Sequence, residues 1–168
     1  YEQMEKKRYE SIKQKGLLYA VGMLAFCSLI VLASPEIVVI LGGQKYYEAT
    51  YVVAPIVMGG FFSFLYTLPV QVEYYYAKTK CIALGTMLAA ALNVIFNYIF
   101  ILLFGYVAAA YTTLVTYFLY FLFHFFLAKK IQGFSLFDTS KMFFICIIAL
   151  AVDFIAIALV DLPVIRWL

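Results

Sequence analysis

The stretch CIALGTMLAAALNVIFNYIFILLFGYVAAAYTTLVTYFLYFLFHFFLA, residues 81–128, contains no Asp, Glu, Lys or Arg. A helix of about 20 apolar residues crosses the roughly 30 Å of bilayer hydrocarbon, so this run holds two crossings, over 81–104 and 106–128. Only Gly105 lies between them. Antiparallel helices joined this tightly pack on each other, and Ala108, Ala109 and Ala110 allow a close approach. The two crossings are therefore expected to form a hairpin.

Working outward, three more apolar stretches of spanning length appear: 17–41, 50–76 and 142–160. Ser34-Pro35 breaks the last turns of the first, and Gly42-Gly43 ends it. The second carries Pro55 in its first turns and Gly59-Gly60 and Pro69 inside, which predicts a bent helix. The fold class expected is all-α, a polytopic transmembrane helix bundle of about five spans. Composition agrees: 67% of the 168 residues are hydrophobic and 12% charged, against about 25% charged in soluble domains. Disorder is excluded by 17 Phe and 15 Tyr, and a disulfide scaffold by only three Cys, of which Cys27 and Cys146 lie in apolar runs and read as small hydrophobes.

Residues 1–16 (YEQMEKKRYESIKQKG) are charged and read as a cytoplasmic or interfacial connection, with Gly16 as the boundary to the first span. The stretch is no signal peptide, because it carries three glutamates and leads into too long an apolar run. With this end inside, Lys6, Lys7, Arg8, Lys13, Lys15, Lys78, Lys80, Lys129, Lys130 and Lys141 are cytoplasmic, and only Lys45 and Arg166 are outside. Such an asymmetry across short loops places the start of the chain in the cytoplasm. The chain begins at Tyr1 and stops at Trp167-Leu168 behind an apolar run, which reads as a piece of a longer polypeptide.

No catalytic constellation is found, and no enzyme, cofactor or metal site is expected. His124, the one histidine, excludes a His-rich metal site and reads as an interfacial residue beside Lys129-Lys130. Ionisable groups inside spans are expensive and are functional candidates by default. Two exist. Glu73 lies a turn inside the cytoplasmic end of the second span, where it can snorkel or pair with Lys78 or Lys80. Asp153 is deeper, has no cation within reach on its own helix, and calls for a partner on another helix or a wet cavity. Asn93 and Asn97 are four apart and share one helical face with Ala89 and Ala90. They either bond across helices or line a polar path, and Gln71 belongs to the same class. Tyr46, Tyr47, Tyr51, Tyr74, Tyr75, Tyr76 and Tyr106 read as interfacial aromatic belts.

The succession SPEIVVILGGQKYYEA, QVEYYYAKTK and LNVIFNYIFILLFGYVAAAYTTLVTY resembles the C-terminal half of bacterial polysaccharide and O-antigen repeat-unit flippases, within the multidrug/oligosaccharidyl-lipid/polysaccharide exporter superfamily. The residues that carry the resemblance are Pro35, Gly42, Gly43, Tyr46, Tyr47 and Ala49, then Lys78 to Lys80, Asn93, Asn97, Gly105 and Ala108 to Ala110. The resemblance implies that 17–130 is a four-helix part of the C-terminal lobe of a larger transporter, with 131–168 supplying an additional transmembrane helix. It also implies a bacterial inner-membrane protein moving an undecaprenyl-pyrophosphate-linked oligosaccharide between leaflets. Its partners would be the lipid-linked oligosaccharide, membrane lipids and an N-terminal lobe of the same polypeptide, with no nucleic acid. Asn93, Asn97, Gln71 and Glu73 would border the substrate path, and Asp153 would be the ion-coupling candidate. No Arg or Lys stands mid-span to hold a pyrophosphate, so those cations would come from outside this segment. The alternatives are a cation-coupled multidrug exporter of the same superfamily and a non-transporting five-span scaffold subunit.

Overall fold

Helix breakers and caps in the sequence account for most of the element ends in the structure, a computed structural model that describes residues 2–162. Arg166, counted above among the outer cations, and Trp167-Leu168 lie outside the described residues. A short α1 (Glu2–Glu5) precedes α2 (Tyr9–Leu32) and α3 (Ser34–Gly42). A 3-10 turn (Gln44–Ala49) leads into α4 (Thr50–Leu65) and α5 (Thr67–Tyr75). Then follow α6 (Thr79–Phe104), α7 (Ala108–Gln132) and α8 (Thr139–Ala158). Among the described residues there is no strand. Five segments are long and apolar enough to cross a membrane: Tyr9–Leu32, Gln44–Tyr75, Thr79–Phe104, Ala108–Gln132 and Thr139–Ala158. The chain is a multi-pass membrane protein with an all-α bundle.

Proline explains two interruptions. Pro35 occupies the first turn of α3, where its missing N–H is tolerated, and the chain is reset at Ala33. Pro69 cannot donate to the Leu65 carbonyl, and the second span breaks at Tyr66 between α4 and α5. The bend expected there is present, whereas α4 continues helical through Pro55. Asp138 caps α8 by accepting a hydrogen bond from the Lys141 N–H at 3.2 Å. Gly105 ends α6 at φ +77°, a conformation that costs a side-chain-bearing residue and not glycine.

No helix end falls at Gly16. The first helix starts within the charged stretch, at Tyr9, and runs through Gly16 without interruption. That glycine serves packing: a Cβ at this position would lie 2.7 Å from Phe137 Cε1. Glycine weakens a helix locally, and the contact offsets that weakness.

The core is centred on α7, which packs against α4, α5 and α6, while α8 packs against α2 and α4. Phe61, Phe62, Phe121, Met58 and Leu65 are wholly buried. Inside lipid there is no hydrophobic drive between apolar helices, so close contact and hydrogen bonding hold them together. Gly59 supplies such a contact, since its side-chain position is 3.5 Å from the Leu114 Cα. The 81–128 hairpin is formed as expected, and α6 lies on its outer side with Gly85 as its only buried residue.

Candidate functional site: a polar cleft above a buried Glu–His pair

Along α7 the residues Thr112, Thr116, Tyr120 and His124 recur every fourth position and form one stripe. All four are buried. A polar stripe facing lipid would leave hydroxyls without partners, so the stripe turns toward α6 and α4. Thr86 on α6 has a single proton, and its hydroxyl donates to the Ile82 carbonyl at 3.0 Å, so Tyr120 donates to the Thr86 oxygen at 2.8 Å.

Asn93 and Asn97 are brought together at the same interface. Thr112 donates to Asn97 Oδ1, Asn97 donates to Asn93 Oδ1 at 3.0 Å, and Asn93 donates to Thr113 Oγ1 at 3.4 Å. The Thr113 hydroxyl in turn donates to the Ala109 carbonyl at 2.7 Å. Each amide thus both donates and accepts, and the run of bonds ties α6 to α7. Asn93, with Ala89 and Ala90, also lines a cleft, and Asn97 does not. That cleft, of about 350 Å3, lies between α4, α6 and α7, with Ser63, Tyr66, Tyr117 and Tyr120 in its wall. Its lining contains no Lys, Arg, Asp or Glu.

At the last position of the stripe His124 Nδ1 lies 2.5 Å from Glu73 Oε1, and both side chains have no exposure to solvent. This corrects two expectations. Glu73 neither snorkels nor pairs with Lys78 or Lys80; it points into the bundle from α5. His124, read as interfacial, is instead wholly buried between helices, more than two turns before α7 ends at Gln132. Tyr66, tilted, and Tyr120, edge-on, lie beside the imidazole with ring centroids 5.8 and 4.6 Å away, and both also line the cleft. Gly85 of α6 gives the imidazole its room: a Cβ there would lie 2.9 Å from His124 Nε2.

The other candidates lie elsewhere. Gln71 is exposed and borders a separate cavity of about 280 Å3 with Lys15, Gly16 and Phe137. Asp153 of α8 is buried, and its Oδ1 has no hydrogen-bond partner. It is apart from the Glu73–His124 pair and within electrostatic range of Tyr111 on α7. Tyr47 and Tyr51, expected as belt residues, donate to Asp161 at 3.1 and 2.9 Å and fasten the start of the second span to the end of α8. Sequence reasoning missed the role of His124, although the four-residue recurrence along α7 was a usable signal. Among the described residues no group of His, Cys, Asp and Glu is arranged to hold a metal ion. Set against known proteins, the chain matches no family model, no curated protein and no solved structure.

Proposed function

We propose that this chain is part of a bacterial inner-membrane flippase that moves undecaprenyl-pyrophosphate-linked oligosaccharide repeat units for cell-surface polysaccharide synthesis. The observation that carries the reading is the uncharged cleft between α4, α6 and α7. Its chemistry suits a neutral sugar: one amide and several hydroxyls donate and accept, and tyrosine rings offer flat apolar faces. A volume of about 350 Å3 falls within the usual span for ligand sites. The pyrophosphate, which needs cations, is assigned to other parts of the transporter. A polar site near mid-membrane, opened alternately to each side, is what such transport requires. The family resemblance of 17–130 supports the same reading.

The test is export of surface glycan by the full-length protein carrying Asn93→Ala with Asn97→Ala. Export is expected to fall about tenfold with membrane levels of the protein unchanged, the scale of losing one or two good hydrogen bonds in a desolvated site. Normal export refutes the assignment of the cleft.

The buried, incompletely bonded carboxylate of Asp153 favours a second reading, a cation-coupled drug exporter of the same superfamily. A deletion strain that becomes drug-sensitive with its surface glycan intact would select it. Loss of glycan without drug sensitivity selects the flippase.

A further inference from the structure

The Glu73–His124 pair is an expensive way to join α5 to α7, because two apolar side chains would fill the space without desolvating ionisable groups. Each member also holds a second polar atom, Glu73 Oε2 and His124 Nε2, that is buried and has no hydrogen-bond partner. A pair built only to fasten helices would have these atoms bonded. His124 Nε2 faces Gly85 of α6, and Tyr66 and Tyr120, whose rings lie beside the imidazole, also line the cleft.

We propose that Glu73 and His124 together form a proton-binding site, loaded through the hydroxyl-lined cleft, and that its proton content sets how firmly α5 is held on α7. Loaded, the pair is net neutral as carboxylate with imidazolium, and its Nδ1–H donates to Oε1 with charge on both partners. Transfer of the Nε2 proton to a water forms hydronium and leaves a carboxylate facing a neutral imidazole, with net charge −1. The bond across Oε1 and Nδ1 then has an uncharged donor and weakens. Return of a proton from hydronium releases water and restores the neutral pair and the tight contact. Tyr66 sits at the α4–α5 break, so a loosened α5 has a place to turn.

The titratable groups facing the pair are the phenols of Tyr66, at the α4–α5 break, and Tyr120, on α7. From α6 it meets Gly85, and the Thr86 hydroxyl is reached through Tyr120. Lys78 and Lys80, before and within α6, and Lys129 and Lys130, at the end of α7, are exposed. None of them is in ion-pair contact with Glu73. The proposal stands independently of the cargo, so its failure and that of the flippase reading are separately visible.

His124 is the sole histidine, so histidine labelled with 13C and 15N gives one ring signal in the whole protein. The protein is placed in lipid nanodiscs and titrated from about pH 5 to pH 8, the range in which imidazole charge changes. The expected result is a ring signal that moves between imidazolium and neutral forms, with proton affinity about tenfold lower in Glu73→Gln, since an opposite charge nearby favours the charged imidazole. Should Glu73→Gln not fold, Glu73→Asp serves: it keeps the carboxylate at a greater distance, and the affinity falls by a smaller factor. A ring signal independent of pH in the wild type overturns the proposal. So does an identical titration in the variant that folds.

Discussion

The helices α6 and α7 are neighbours of nearly equal length, 26 and 25 residues, joined by one glycine turn, and the 81–128 run through them carries no fixed charge. None of the spanning window of α6 is buried within the molecule, whereas 44% of that of α7 is. The difference lies in the polar residues and in where they repeat. On α7 hydroxyls and the imidazole recur at every fourth position over more than three turns, which defines a stripe that must find partners. On α6 Thr86, Asn93 and Asn97 occupy one edge and turn toward α7, while the large exposed side chains are Leu, Ile, Val, Phe and Met with Tyr98 among them, suited to contact with lipid. In a membrane protein, polar periodicity reports on burial better than apolar content, because lipid and protein interior are equally apolar.

Substitutions can break or sharpen this contrast. The largest effect is expected for Phe121→Ala on α7, wholly buried between helices, at a loss of about 4 kcal/mol of stability from the cavity left behind. Detergent-mediated unfolding of the purified protein measures it, and a loss no greater than for an exposed α6 residue would dissolve the contrast. Next is His124→Leu, which leaves Glu73 buried without its partner and is expected to cost about 3 kcal/mol. The double variant His124→Leu with Glu73→Leu should recover most of that, and failure to recover would mean that the pair is not the source of the loss. Asn97→Leu removes one interhelical hydrogen bond and its relay to Asn93, at about 0.6 kcal/mol, the average for such bonds within membranes. Smallest is Val94→Ala on the open face of α6, expected to change stability by less than about 0.5 kcal/mol. A greater loss at Val94 would show that this face is covered by another part of the protein.

Much of the architecture is legible in the sequence. The five spans, the hairpin about Gly105, the reset at Ser34-Pro35 and the bend of the second span all follow from apolar run length and helix breakers. Local rules also failed in an informative way. Gly16 reads as a boundary by propensity, yet its lack of a side chain admits Phe137, a residue more than a hundred positions away. Pro55 reads like Pro69 as a source of bending, but only the latter coincides with a break. The candidate site was half legible. Asn93 and Asn97 were marked by their four-residue spacing, and Glu73 by its depth in an apolar run. That Glu73 meets His124 depends on how α5 docks against α7, and no local pattern carries that information.

The break at Tyr66 also bears on how the protein enters its membrane. At 1.5 Å per residue α4 is about 24 Å long and α5 about 14 Å, so neither half reaches across about 30 Å of hydrocarbon alone. The two must be inserted as one unit, with the glutamate of the second half already inside. His124 is 51 residues further on, and at about 5–20 residues per second the ribosome delivers it roughly 3–10 s later. For that interval Glu73 is a membrane-embedded carboxyl without its imidazole, and α5 can settle only once α7 has arrived beside it. The order of synthesis thus makes the α5 half of the second span the last part of its hairpin to lock.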